Sequence, residues 1–240
     1  MKVRADVLVQ QRGLAGSRSR AQALILAGSV VAGDHRVEKP GQLLDPGVEL
    51  RVKEQLPYVS RGGLKLEKAL DHFALPVAGR VCLDLGASTG GFTDVLLQRG
   101  ALRVHAVDVG YGQLHLKLRA DSRVVVHERV NARALRLAEP CSAAVADLSF
   151  ISLRLVLPAL ATALRPADAW ACVLVKPQFE AGRVEVGKGG VVRDPAVHAR
   201  VVAEISSEFR QLGFEVRGSM ESPLRGPAGN REYLVAATRT

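Results

Sequence analysis

Four charged side chains stand where they could do chemistry. Asp147 follows the apolar run AAVA, Lys176 follows ACVLV, and Glu232 precedes YLVAA. Lys65 lies in SRGGLKL, ahead of the first long apolar strand. Desolvation disfavours the charged form of an amine, so a lysine ending a buried strand can serve as a base. A lysine snorkelling to the surface is the competing reading of any one such position. Together the four suit the methylation of a ribose hydroxyl. That oxygen must be made nucleophilic at neutral pH and held in line with the methyl donor, while neighbouring charges steer it.

A second group of residues points to a nucleoside-like cofactor. CLDLGASTGGFT reads as a buried strand, a glycine-rich turn and a helix start. Gly86 and Gly90 allow a tight turn and close backbone approach, and Asp84 stands at the strand end. Asp108 ends the next strand, where a carboxylate can accept hydrogen bonds from both hydroxyls of a ribose. A nicotinamide enzyme uses similar parts. Three details point away from it: the glycines do not read GxGxxG, an acid precedes the first of them, and the loop carries a polar Ser88-Thr89 pair. A donor without a phosphate, such as S-adenosylmethionine, needs no pyrophosphate cradle.

These residues need a scaffold to position them. From Val59 onward, apolar strand-like runs (RVCLDLG, RVHAVDVG, VVVH, AAVADLS, ACVLVKP) alternate with helical patterns (GLKLEKALDHF, FTDVLLQRG, and PAVHARVVAEISSEFRQLGF). ISLRLVLPALATAL reads as a helix with an internal proline, and FEVRGS and EYLVAAT close the chain as strands. Such alternation predicts a mostly parallel sheet covered on both faces. Residues 1–54 have a different texture. RADVLVQQRG and SRSRAQALILAG read as short helices, the first ended by Gly13 and the second capped by Ser17. Turns at Gly33-Asp34 and Asp45-Pro46-Gly47 separate short strands. Residues 55–58, with Pro57, read as a linker between the domains 1–54 and 59–240.

The chain has 240 residues, 48% of them hydrophobic, which excludes disorder as its main state. Lys+Arg 33 against Asp+Glu 24 gives a net charge of +9, which favours an anionic partner such as RNA. Arg12, Arg18, Arg20, Arg36 and Lys39 concentrate in the first part; Arg4 and Arg61 complete the expected RNA-binding set. No secretory segment and no apolar run of membrane-spanning length is present, so a cytoplasmic protein without a membrane partner is expected. The cysteines Cys82, Cys141 and Cys172 are far apart and lack metal-ligand spacing, so buried free thiols and no metal are expected.

SRSRAQALILAGSVVAGDHRVEKPGQLL resembles the small RNA-binding domain first recognised in a ribosomal small-subunit protein, the S-four type. The rest is similar to the TlyA family of ribosomal RNA 2′-O-methyltransferases, whose domain is FtsJ-like. The matching stretches are YVSRGGLKL, LDLGASTGGFTDVLL, AVDVGYGQL, ADLSFISL, LVKPQFE, GGVVRDP and SPLRGPAGNREYL. The resemblance implies an α/β, Rossmann-like S-adenosylmethionine-dependent methyltransferase. Its sheet would be seven-stranded and mostly parallel, behind a small N-terminal α+β RNA-binding domain. It implies a Lys-Asp-Lys-Glu tetrad falling on Lys65, Asp147, Lys176 and Glu232, with Lys176 nearest the reacting hydroxyl and Asp147 orienting it. It also implies cofactor contacts from Asp84 through Phe92 (Gly86, Ala87, Ser88, Gly90, Gly91), from Asp108 and Val109, from Asn131 near the adenine, and from Asp147. The substrate expected is a cytidine in ribosomal RNA. Because this chain stops at Thr240, 23S is favoured over 16S. Where longer members carry a Trp and an Arg before the VSRG stretch, this chain has LPYV. The competing readings are an RNA-binding assembly factor with a vestigial methyltransferase domain and, less favoured, a membrane-active haemolysin. Either a monomer or a homodimer is compatible.

Overall fold

The computed structural model describes residues 2–52 and 56–239, so Gln55 of the expected linker lies outside the described residues. The chain divides into two compact units, Met1–Pro57 and Tyr58–Thr240. Tyr58 was expected in the linker. It is instead buried in the second unit, with its hydroxyl donating to Glu67 at 2.6 Å, because its ring finds an apolar wall there.

The first unit comprises β1 (Val3–Arg4), α1 (Ala5–Gln11), α2 (Arg18–Leu26), β2 (Val30–Ala32), β3 (His35–Arg36), β4 (Leu43–Leu44) and β5 (Leu50–Val52). Strands β3, β2 and β5 form an antiparallel sheet, and β1 pairs with β4. Ser17 caps α2 as its sequence predicts, accepting from the Arg20 amide at 3.1 Å. Leu8, Val9, Leu24, Ile25 and Val30 make the core. One charge is built into this small core: Asp6 is fully buried. Its carboxylate accepts from Arg4 Nε and Nη2 at 3.0 Å, from Arg18 Nε at 3.0 Å and from Gln22 Nε2 at 2.8 Å.

The second unit comprises α3 (Gly62–His72), β6 (Val81–Leu85), α4 (Gly91–Gln98), β7 (Arg103–Asp108), α5 (Leu116–Arg119), β8 (Val124–Glu128), β9 (Ala143–Ala146), α6 (Leu157–Ala163), β10 (Ala169–Val175), α7 (Pro177–Glu180), α8 (Pro195–Gln211), β11 (Glu215–Glu221) and β12 (Tyr233–Arg239). One seven-stranded sheet runs β11-β12-β10-β9-β6-β7-β8. The pairs β6–β7, β7–β8, β6–β9 and β9–β10 are parallel; β12 is antiparallel to both neighbours. Every residue of β9 and β10 is buried, which is why those strands read as continuous apolar runs. Leu83 and Leu85 face a core with α6 and α8, whereas Cys82 faces one with α3 and α4. Pro158 does not interrupt a helix as expected. A single 3₁₀ turn (Leu153–Leu155) precedes α6, and Pro158 sits in its first turn, where a missing N–H costs nothing.

Arg4 holds the Asp6 carboxyl well below the usual carboxylate range, more than its burial raises it. A depressed carboxyl stabilises the fold at pH values above its unfolded pKa, near 4, and that contribution fades as pH falls below it. Asp6→Ala is expected to destabilise the first unit by about 2 kcal/mol, discounted because the arginines are half-exposed, and to remove most of its acid sensitivity. Hydrogen exchange of the α1 and α2 amides between pH 3 and 7 checks both.

Candidate active site

The switch point of the sheet brings four chain segments together. From β6 the chain steps one way to β7 and β8 and then crosses to β9 and β10 on the other side. Ligands in such sheets sit at the carboxyl ends of the strands beside that crossing. Leu85 pairs with Ala146, so Gly86 and Asp147 leave the sheet as neighbours, and the Asp147 amide donates to the Leu85 carbonyl at 2.9 Å. Val175 pairs with Tyr233, so Lys176 leaves β10 beside Glu232, which leads into β12.

The tetrad residues fall into two ion pairs. Lys176 Nζ lies 2.7 Å from Asp147 Oδ1, close enough for an ion pair although not aligned as a hydrogen bond. The same amine donates to Ser149 Oγ at 2.9 Å. Lys65 Nζ, carried by α3, donates to Glu232 Oε2 at 2.6 Å, and the Glu232 side chain is only 2% exposed. Two lysines and two carboxylates leave the ensemble neutral, which is what partial burial of four charges requires.

Asp147, Ser149 and Lys176 form one wall of a cleft of about 180 Å³. Ser60, Gly62, Gly86 to Thr89, Gly91 and Phe92 form the rest; Lys65 and Glu232 are not on its surface. Gly86 (φ +80°) and Gly90 (φ +97°) adopt the left-handed conformation their turn needs. A Cβ on Gly86 would stand 2.5 Å from the Asp147 carbonyl oxygen, and one on Gly91 would overlap Ser60 Oγ.

A family model for the FtsJ-like methyltransferases matches residues 58–239, and one for the S4 domain matches residues 3–50. The chain is a member of the FtsJ-like methyltransferases, within their TlyA group. It is 50% identical to the 16S/23S rRNA (cytidine-2′-O)-methyltransferase TlyA of Mycobacterium tuberculosis, over 98% of this chain and 89% of that one. Hemolysin A of Brachyspira hyodysenteriae is 41% identical, over 97% of this chain and 98% of that one. Among solved structures, a hemolysin-named chain from Streptococcus thermophilus superposes with a TM-score of 0.76 at 47% identity, covering 100% of this chain and 89% of that chain.

Within this FtsJ-like domain the cofactor residues expected from the sequence separate into groups. Asp108 Oδ2 accepts from the Ser88 amide at 2.8 Å and Oδ1 from the Gly110 amide at 2.7 Å. Each oxygen keeps a second lone pair, so the carboxylate can still receive ribose hydroxyls. Asp108, Ala87 and Ser88 line a small recess beside the cleft, and Gln113 lies across it against Gly110. Asp84 is not on the surface of the loop. It is fully buried, receives Thr93 Oγ1 at 2.6 Å on one oxygen, and has no partner on the other among the described residues. Burial pushes its carboxyl up to about 7, against the Thr93 hydrogen bond. Val109 is exposed, and neither it nor Asn131 lines the cleft or the recess. The Asn131 side-chain oxygen instead accepts from the Arg133 amide at 3.0 Å and starts a 3₁₀ turn, a local use that an asparagine before a short helix commonly has.

Of the expected RNA-binding residues, Arg4 and Arg18 have their charge engaged by Asp6, and Arg12 donates to the Pro46 carbonyl. Arg36 packs its guanidinium against Gly28. Arg20 and Lys39 are exposed, as is Arg61 at the start of α3 in the second unit. The sequence reading did not single out Ser60, Ser149 or Phe150. Phe150 is 91% exposed, has φ +64°, and its ring lies 5.2 Å from that of Phe179. The signal was there in ADLSFISL, where Phe150 directly follows Ser149 just after the strand-end acid Asp147.

No group of three or more His, Cys, Asp or Glu residues that could hold a metal, and no helix long and apolar enough to cross a membrane, occurs among the described residues. Cys82, Cys141 and Cys172 are free and buried.

The Asp84 carboxyl yields a measurable pH effect. Its folded pKa lies above the unfolded value, so folding favours the proton, and stability falls as pH rises from about 4 to about 7. Asp84→Asn removes that slope. The midpoint of thermal unfolding of the variant, followed from pH 4 to 8, is expected to vary less than that of the parent over this window.

Proposed function

We propose that this chain transfers a methyl group from S-adenosylmethionine to the 2′-hydroxyl of a cytidine in ribosomal RNA, and that Lys176 handles the hydroxyl proton. The observation that carries this reading is the position of Lys176: its amine stands on the cleft wall, ion-paired with Asp147 and hydrogen-bonded to Ser149, across from the glycine loop. The residues fit the methyl donor: Gly86 and Gly91 leave no side chain in the cradle, and Asp108 offers ribose acceptors. When bound, S-adenosylmethionine supplies an electrophilic methyl on sulfur.

The chain's own residues then do the rest. Lys176, entering the step as the neutral amine, holds the 2′-hydroxyl and takes its proton as the oxygen–carbon bond forms and the sulfur–carbon bond breaks, becoming the ammonium. Asp147 keeps the amine oriented and balances its charge. The Lys65–Glu232 pair, behind the wall, ties α3 to the entry of β12 and spares Glu232 an uncompensated charge. Phe150, exposed beside Ser149, offers a ring face on which an unstacked base can rest, which favours single-stranded or loop RNA. The first unit, an S4 domain, contributes sequence-independent affinity through Arg20 and Lys39. Ribosomal RNA as substrate puts the protein in the cytoplasm.

A binding-only assembly factor is the second reading. The two intact ion pairs argue against it, since buried charges serve no purpose in a decayed site.

The test is methyl transfer to unmodified 16S and 23S RNA. Lys176→Ala is expected to lower kcat by about 10²- to 10⁴-fold with donor affinity unchanged. Lys176→Arg keeps a cation that cannot accept a proton and is expected to lose nearly as much. Near-parent turnover by the arginine variant would assign the lysine an electrostatic part only. Absence of product with either RNA would leave the binding reading standing.

A further inference from the structure

Beside the tetrad lies a second cleft that the reaction itself does not use. It has a volume of about 450 Å³ and is formed by two loops, one leading into α8 and one leading into β12. Arg193, Arg225 and Arg231 line it, together with His198. Arg231 has only a loose pairing, 3.7 Å from Glu221, with both side chains about half exposed. Among the described residues Arg193 and Arg225 have no acidic partner, whereas Arg4, Arg80, Arg123 and Arg200 are each tied to a carboxylate. Guanidinium groups left free on the walls of a concave surface are suited to an oxyanion such as a phosphodiester, two of whose oxygens each guanidinium can grip with two N–H groups.

The walls are held in place by a buried side chain. Asn230, 1% exposed, accepts from the Val192 amide at 3.0 Å and donates to the Gly190 carbonyl at 2.8 Å. It therefore fastens the loop carrying Arg193 to the loop carrying Arg225 and Arg231. His198 reinforces the join: Nε2 bonds the Val192 carbonyl at 3.0 Å and Nδ1 meets the Tyr233 hydroxyl at 3.2 Å. Both loops are thus set before any ligand arrives, which lowers the cost of binding.

The same segment reaches the tetrad. Arg231 is the residue before Glu232, and Gly226, next to Arg225, lies so close to Glu232 that a Cβ there would stand 2.7 Å from its Oε1. An anion held by Arg225 and Arg231 is therefore adjacent to the group that pairs with Lys65.

We propose that Arg193, Arg225 and Arg231 form a phosphate-binding cleft for the backbone of the substrate RNA, gripping phosphodiesters that flank the target nucleotide so that its ribose meets Lys176. This rests on RNA being the substrate. The cleft reads backbone and carries no base discrimination of its own.

The experiment uses the full chain with unmodified 23S RNA. Equilibrium binding is measured from low to moderate salt for the parent, for Arg193→Gln with Arg225→Gln, and for the matching lysine pair; methyl transfer is measured in parallel. The glutamine pair is expected to weaken RNA binding by roughly tenfold per arginine. It should also make the dependence of log K on log salt shallower by about 0.7 to 0.9 per lost contact. The lysine pair keeps the slope and loses part of the affinity, because charge survives and the two-pronged grip does not. Unchanged donor binding in each variant verifies that the second unit is folded. An unchanged salt slope and affinity in the glutamine pair would overturn the cleft, whatever the methylation result. Failure of the parent to methylate any RNA, with the slope change present, would overturn the proposed reaction and leave the cleft standing.

Discussion

The site depends on one close approach. At Gly86 the backbone leaving β6 passes the backbone leaving β9 with no space for a side chain, since a Cβ would lie 2.5 Å from the Asp147 carbonyl oxygen. That contact exists because β6 and β9 are parallel neighbours at the point where the chain crosses from one half of the sheet to the other. It brings the turn that can cradle a cofactor against the acid that pairs with Lys176. A parallel sheet buried on both faces is stiff, so the spacing between the two is held by the whole core. Glycine is required by close packing and by the left-handed turn at once, and only a residue without a Cβ satisfies both.

Charge imposes the next constraint. Four ionisable groups are drawn to the carboxyl edge of the sheet, where each loses part of its water. Singly, each would be expensive to hold; as Lys65–Glu232 and Lys176–Asp147 they compensate in pairs. The two pairs have different surroundings. Glu232 is almost fully buried and its pair lies behind the cleft wall. Asp147 is 23% exposed and its pair faces the cleft. The inner pair suits holding α3 to the sheet, and the outer suits meeting substrate. Asp84 follows the other solution open to a buried carboxyl: with no cation beside it, its affinity for a proton rises.

Most of the scaffold was legible because it obeys simple periods. Buried parallel strands read as apolar runs, Ser17 announces the start of α2, and the glycines mark real left-handed turns. The tetrad residues were legible individually, as charges at strand ends, but their pairing was not: Lys65 and Glu232 are 167 positions apart, and only the fold makes them neighbours. Pro158 read as a helix interruption because sequence periodicity does not distinguish a helix's first turn from its middle. Asn131 was expected near the adenine only from the family resemblance, and its local bond to the Arg133 amide is not a feature that the sequence displays. Asp6 carries no local signal of its burial: two arginines and a glutamine, up to 16 positions away, pack it into the core.

The reversed strand is the feature that lets the acceptor side of the site be built at all. In a wholly parallel sheet, only residues following strands reach the carboxyl edge, and they arrive one per strand. β12 runs the other way between β10 and β11, so its first residues lie at that edge instead of its last. The segment entering β12 can therefore deliver Glu232 beside Lys176, with Arg231 and Arg225 just upstream. Tyr233 opposite Val175 fixes where that segment enters. A one-residue slip would turn Glu232 to the other face of the sheet. The long antiparallel pairing of β12 with β10, seven residues from Ala169↔Arg239 to Val175↔Tyr233, protects against such a slip. An apolar strand that touches no substrate is thus what aligns the charged residues that can.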